Sequence, residues 1–174
     1  MINFIPKAFT GEEDTCPVCI ARLDLESCLL VEQKALQAFN FRLLTGGGCS
    51  ERLAQQSLDL SGLFQTLLAD YRVSFALNLG IWFAAERFGR TKKVKDLLLA
   101  YDEYREQSLA SFAAFNLAVE ELNSTMTGEN TSGFSLELAS LLSSQESLKQ
   151  AVERFWLEVD KWTMKRREEA FKVL

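Results

Sequence analysis

The two prolines of this 174-residue chain, Pro6 and Pro17, both precede its first long periodic segment. Proline lacks a backbone N–H and its ring clashes with the preceding helical turn, so an internal proline breaks or kinks a helix. No residue after position 17 imposes such a break. Long helices are therefore permitted along almost all of the remaining sequence.

Four segments have the apolar spacing of α-helices, and short runs of glycine, serine and threonine separate them. Their approximate bounds are Cys19 to Leu44, Ser50 to Arg87 or Phe88 with a possible interruption over 59–62, Lys92 to Leu122, and Ser135 onward. The stretch from Asn123 to Gly133 is polar and lacks periodicity, which predicts a surface loop. The sequence predicts an all-α protein, a bundle of about four long helices. An irregular N-terminal arm over 1–18 precedes a single helical-bundle domain over 19–174.

Apolar stripes identify the helix faces that we expect to be buried. In the first helix the stripe residues are Leu23, Leu30, Leu36, Phe39 and Leu43. In the third helix they are Val94, Leu98, Tyr101, Phe112, Phe115, Val119 and Leu122, and Arg105 and Ser108 interrupt this stripe. In the fourth helix they are Leu148, Val152, Phe155, Val159 and Trp162. The 4-3-4-3 spacing in the fourth helix is typical of packing against another helix.

The uncharged segment from Val73 to Ala85 is apolar nearly all round. A helix without a polar face must be covered on every side, either by its own domain or by another chain. Its 13 residues are too few for the roughly 20 that cross a bilayer. We therefore expect a buried helix and no membrane span.

The composition narrows the possible functions. The chain has no histidine, which excludes the Ser-His-Asp triad and the common histidine-containing zinc and iron sites. A net charge of −5 disfavours a general binder of nucleic acids or anionic membranes. No base, nucleophile and stabilising group can be assigned to one pocket, so we do not expect an enzyme.

The N-terminal residues lack the features of a secretory signal, which predicts a cytoplasmic, intracellular protein.

A CxxC motif, Cys16-Pro-Val-Cys19, places two thiols on one tight turn. Zinc sites and redox pairs both use this arrangement. A redox pair is disfavoured, because thioredoxin-like motifs belong to a βαβ context that this sequence lacks. Zinc needs four ligands, and Cys49 is the candidate third ligand if a hairpin within 20–44 returns it to the turn.

Under that arrangement, residues 16–52 resemble small bacterial zinc domains that pair CPxC with a later GxC-x-x-H. Arg52 stands at the position of the histidine. The resemblance implies a zinc ion held by Cys16, Cys19 and Cys49, with the fourth ligand unassigned. A small metal-binding or regulatory module is thus one alternative function, and zinc is the one possible cofactor.

Five basic residues cluster within nine positions: Arg87, Arg90, Lys92, Lys93 and Lys95. Such a cluster can hold phosphate groups, so contact with a nucleic acid or an acidic partner is a third hypothesis. Only Phe88 is interleaved for base stacking, and Arg87 also suits a helix C-terminus. This pattern favours a solvated turn over a nucleic-acid interface.

The last helix carries the candidate interface residues Phe155, Trp156, Val159 and Trp162. Trp156 is offset from the stripe of the other three, which predicts large apolar groups on two faces of this helix. A second apolar face usually means a second protein surface. The leading hypothesis is therefore a non-catalytic structural or interaction subunit of a larger intracellular or viral assembly, which binds other protein chains as a homo- or hetero-oligomer.

Overall fold

The computed structural model describes residues 17–46, 49–82, 91–129 and 134–171. They form four helices: α1 (Pro17–Thr45), α2 (Glu51–Trp82), α3 (Thr91–Gly128) and α4 (Ser135–Phe171). These ranges contain no strand, and the predicted all-α bundle is confirmed. The predicted arm over 1–18 lies outside the described residues except for its last two positions, which belong to α1.

Helices α1 and α4 form one close pair. Arg154 lies 3.5 Å from Asp24 near the start of α1, and Arg42 lies 3.8 Å from Glu137 near its end. Because low numbers in α1 face high numbers in α4, the two helices are antiparallel. The first and last of the described helices are therefore neighbours in space.

Helices α2 and α3 form the second close pair, which is also antiparallel. Ser50, just before α2, donates a 3.0 Å hydrogen bond to Glu129, just after α3. At the middle of the pair, the rings of Phe64 and Phe115 lie 5.6 Å apart. A polar contact therefore joins the two helices at one end, and an aromatic contact joins them at the middle.

Aromatic and charged contacts join the two pairs into one bundle. The ring of Tyr71 on α2 lies 5.5 Å from that of Phe155 on α4, in an edge-to-face arrangement. Between α3 and α4, Arg105 Nε donates to Asp160 Oδ1 at 2.8 Å, and the guanidinium lies over the ring of Trp156. Side chains of each helix pair therefore pack against side chains of the other pair.

Local chemistry explains the helix ends. Pro17 occupies the first helical position of α1, where its missing N–H is not needed. At the other end, Gly46 N donates to Arg42 O at 2.9 Å, and a Cβ on Gly46 would approach that oxygen to 2.8 Å. Ser50 accepts from Leu53 N at 3.2 Å, which confirms the predicted N-cap of α2. The predicted start of the last helix at Ser135 is also confirmed.

The predicted stripe of α3 is confirmed, because all seven of its residues are buried. Its two interruptions also have structural explanations. Ser108 is buried within the stripe, and Arg105 pairs with Asp160 across the boundary to α4. These two polar residues therefore do not interrupt the face of α3 that packs against the rest of the bundle.

Two predicted features of the chain path are wrong. Helix α2 continues through 59–62 without interruption, since Gly62 is one exposed residue within a long helix. Helix α3 extends to Gly128, so the first half of the predicted loop is helical. Met126 is buried there, and Thr125 donates to the carbonyl of Glu121 at 3.0 Å. Burial at the helical period offset the low helix propensity of this polar stretch.

Of the predicted buried segment from Val73 to Ala85, residues 83–85 lie outside the described part of the chain, and the described residues do not cover the rest on every side. The side of the helix that faces the core carries Ser74 and Asn78, whereas Val73 remains 39% exposed. Asn78 Nδ2 donates to Thr163 Oγ1 at 3.1 Å, and Ser74 donates to the Tyr104 carbonyl at 3.0 Å. Polar residues thus face inward here. Cover by another chain remains a prediction.

A helix that crosses a bilayer must be both long and apolar. Along the described part of the chain, no helix contains a stretch that is both long and apolar enough to span a membrane.

Candidate interaction surface on helix α1

The cysteines expected at a zinc site do not meet. Helix α1 runs unbroken from Pro17 to Thr45, so the hairpin needed to return Cys49 to the CxxC turn does not form. At 1.5 Å per residue, Cys19 and Cys49 lie about 40 Å apart along the helix. They cannot hold one ion within a single chain. Cys16 lies outside the described residues, and the described ones contain no group of three metal-ligating side chains.

The basic cluster falls largely where the structure gives no description. Arg87 and Arg90 lie outside the described residues. Lys92 and Lys93 belong to the first turn of α3, and the next basic residue, Lys95, is half-buried. A phosphate contact at this cluster remains a prediction.

Three of the four residues expected at an interface lie in the core of the single chain. Phe155, Trp156 and Val159 are buried, and Trp162 is half-buried against the same core. The Phe155 and Trp156 rings contact each other at 5.1 Å. The stripe of α4 is confirmed as a core-facing stripe, but a surface that binds another chain must be built from other side chains.

The core-facing stripe of α1 differs from the predicted one. Leu36, Phe39 and Leu43 are buried as expected, but Leu23 and Leu30 are exposed. The residues that form the buried stripe are Val18, Ala21, Leu25, Leu29, Glu32, Leu36, Phe39 and Leu43. The sequence prediction combined two different faces of α1, because leucine lies on both.

One member of the buried stripe is a carboxyl group. Glu32 is fully buried, and neither carboxylate oxygen has a hydrogen-bond partner. Burial raises the pKa of Glu32 to about 7. The nearby Ser144 hydroxyl on α4 lowers the pKa by less than burial raises it, and this hydroxyl donates its hydrogen bond to the Leu141 carbonyl at 3.0 Å.

The opposite face of α1 is apolar and exposed. Of the thirteen large hydrophobic side chains that are exposed among the described residues, six lie on this one helix. We call the outer seam the eight exposed positions Ile20, Leu23, Ser27, Leu30, Lys34, Gln37, Phe41 and Leu44. Their spacing of three and four residues continues along the helix, and Val31 borders them. This is the spacing with which one helix packs lengthwise on another.

The seam side chains are uncovered to an extent unusual for their type. Leu23 is 59% exposed and Phe41 is 70% exposed. At 100° per residue, the outer seam and the buried stripe lie on roughly opposite sides of α1. Helix α1 is therefore apolar on two faces, one covered by the bundle and the other not covered by any described residue.

Exposed apolar residues on the other helices do not form a comparable stripe. On α3 the two are Leu99 and Leu117, eighteen positions apart. Glu103 and Glu106, which follow Leu99 at helical spacing on the same side, are exposed and charged. Single exposed leucines of this kind are normal on a protein surface. Among the described residues, the stripe richest in exposed apolar side chains thus lies on α1.

A second surface feature is an open groove of about 820 Å³ between α2 and α3. Its lining includes Arg52, Glu120 and Glu121. Glu129 at its edge already accepts hydrogen bonds from Ser50. The groove is wide and polar, and its carboxylates line a surface instead of converging on one point, so it is a weaker candidate than the outer seam.

Comparisons with known proteins give no relatives. No protein-family model, curated protein or solved structure matches this chain. The function of this chain must therefore be inferred from its own residues.

The sequence contains a signal for the outer seam. Ile20, Leu23 and Leu30 follow one period, while Leu25, Leu29 and Leu36 follow another that is offset by half a turn. Glu32 concealed the second period, because a charged residue at a stripe position looks like part of a solvated face.

Proposed function

We propose that this protein is a non-catalytic interaction subunit of a larger assembly, and that the outer seam of α1 is the surface by which it binds another protein chain. The observation that carries the proposal is the exposure of six large apolar side chains along one helix whose opposite face already completes the core. Contiguous exposed apolar surface of this kind marks protein-binding sites in soluble domains.

The chemistry of the seam indicates the kind of partner. Leucine, isoleucine and phenylalanine supply the contact surface, and the three polar members, Ser27, Lys34 and Gln37, interrupt it. An extended helix with its own apolar stripe fits such a surface, because knobs on one helix enter holes between residues three and four apart on the other.

Photo-crosslinking in the source cells tests this proposal. A photoreactive residue replaces Leu30 in the seam, and in a matched control it replaces Leu99, which is 71% exposed on α3. We expect a discrete protein adduct from position 30, identified by mass spectrometry, and none from position 99. The adduct should disappear when Leu23→Glu and Phe41→Glu are added. No adduct at position 30, or equal adducts at both positions, contradicts the proposal.

A further inference from the structure

We propose that the occupant of the outer seam is a second copy of this chain, with the two α1 helices packed antiparallel. This inference rests on the proposed function and specifies its partner. It follows from the order of residue types along the seam, from the position of Lys34 and from the area that the seam offers.

The seam is self-complementary when one copy is reversed. About a twofold axis midway between Leu30 and Lys34, Ile20 meets Leu44 of the second copy and Leu23 meets Phe41 of the second copy. The same register places Ser27 opposite Gln37. Apolar positions therefore face each other at both ends of the seam, Ser27 faces Gln37, and Leu30 faces Lys34 nearest the axis. An isologous interface needs a surface that can pair with a reversed copy of itself.

The parallel arrangement is less favourable because of one residue. Lys34 is exposed at the seam, and in a parallel pair it would face Lys34 of the second copy directly. Like charges in contact destabilise a helix pair, and a seam lysine discriminates between alternative registers. In the antiparallel pair Lys34 meets Leu30 instead, where its aliphatic stem covers apolar surface.

Acidic residues beside the seam do not oppose the antiparallel pair. The acidic residues that flank it are Asp24 and Glu26, both in the first half of α1. Asp24 is paired with Arg154, and Glu26 accepts a 2.9 Å hydrogen bond from the Tyr71 hydroxyl. In the reversed copy these positions lie near Ala38 and Asn40, so no acidic residue meets another.

The area of the seam predicts a reversible dimer. From Ile20 to Leu44 the seam is about 37 Å long, and a helix with its side chains is about 10–12 Å wide, so each copy offers a strip of about 400 Å² in projection. Both strips together fall below the roughly 1,600 Å² of a standard stable interface. An interface of this size is typical of weak contacts, so we expect association to be reversible and to depend on concentration.

Sedimentation equilibrium of the purified full-length chain, from about 1 to 500 µM, tests the dimer. We expect the average mass to rise with concentration from one chain mass toward two. Leu23→Glu with Phe41→Glu should weaken association at least about tenfold, while the equally exposed pair Leu99→Glu with Leu117→Glu should not. Circular dichroism and thermal unfolding confirm that each variant is folded.

A gain-of-association variant keeps the test decisive if the glutamate variants do not fold. Lys34→Leu extends the apolar seam, so it should tighten association about tenfold or more. A mass that stays at one chain at every concentration, in the wild type and in Lys34→Leu alike, overturns the inference. Dimerisation that the seam variants leave unchanged also overturns it.

Disulfide trapping tests the antiparallel orientation. A mixture of Ser27→Cys and Gln37→Cys chains should form a bond between positions 27 and 37, identified by mass spectrometry of the linked peptides so that native cysteines do not confuse the assignment. Ser27→Cys alone should not link to itself. Bonds between two copies of position 27 overturn the antiparallel pairing.

The two proposals fail in different ways. If the purified chain remains monomeric while Leu30 crosslinks a different protein in cells, the second copy is wrong and the interaction function stands. If Leu30 gives no adduct and the chain does not associate, both proposals fail.

Discussion

The buried position of Glu32 lowers the stability of the folded chain. In the unfolded chain its carboxyl has the ordinary pKa of 4.5, and burial raises the pKa to about 7 in the folded chain. Between those values the unfolded chain has released the proton that the folded chain still holds. Raising the pH through this window therefore destabilises the fold, and above pH 7 the loss is constant.

The Glu32→Gln variant measures this cost. We expect it to match the wild type in free energy of unfolding near pH 4.5 and to exceed it by about 3 kcal/mol near pH 8, since one pKa unit corresponds to about 1.36 kcal/mol. Urea unfolding at a series of pH values gives the difference. Glu153→Gln, at an exposed position on α4, is the matched control. A flat difference for Glu32→Gln would show that the carboxyl is not desolvated.

At the scale of one helix, two glycines should respond to alanine in opposite directions. A Cβ on Gly62, exposed within α2, meets nothing within 4 Å, whereas one on Gly46 would lie 2.8 Å from the Arg42 carbonyl oxygen. Gly62→Ala should stabilise the protein by about 0.5–1 kcal/mol, because alanine favours the helix. Gly46→Ala should destabilise it. Thermal unfolding of both variants checks the difference in sign.

The C-terminal end of α3 provides a second test at this scale. Met126 is buried and Thr127 is exposed, in a stretch whose polarity predicts a loop. Met126→Ala should cost about 2–3 kcal/mol of unfolding free energy, as expected for a truncated core side chain. Thr127→Ala should cost less than about 0.5 kcal/mol. Similar small effects at both positions would place this segment outside the core.

The sequence predicted the helices better than it predicted their faces. In α3 and α4 one apolar stripe opposes a polar side, so positions such as Val119 and Leu148 could be assigned to the core from spacing alone. In α1 both faces are apolar, and spacing could not show whether Leu23 or Leu25 points inward. That choice depends on which side of α1 faces α4, a contact between distant parts of the chain.

Polar residues account for the remaining differences. Glu32 and Asn78 are buried although both are polar. Asn78 is held by Thr163 on α4, a partner that only the folded arrangement provides. The helical path of 123–128 was missed for the same reason, since the burial of Met126 against other helices is not visible in its neighbours along the sequence.

Across the whole molecule, Phe155 links the two helix pairs. It belongs to the α1 and α4 pair, and its ring also lies 5.5 Å from Tyr71 and 6.3 Å from Phe75 on α2. Its truncation should therefore weaken the cohesion of the entire bundle and not only one helix contact.

Phe155→Ala should lower the free energy of unfolding by about 3–5 kcal/mol. Hydrogen exchange should show lost protection in both helix pairs together. Leu157→Ala, at an exposed position two residues along the same helix, should leave stability within about 0.5 kcal/mol. Lost protection confined to α1 and α4 would show that the pairs unfold independently.

The pairing of the first helix with the last has a consequence for biosynthesis. Translation delivers α1 before Ser135 has been polymerised, so the side of α1 that packs on α4 is still uncovered while α2 and α3 emerge. The hairpin of α2 and α3 can close from neighbouring sequence, but α1 must wait for α4. A nascent chain stalled ahead of α4 would consequently expose apolar side chains on both faces of α1, and chaperones that recognise such surface would bind there.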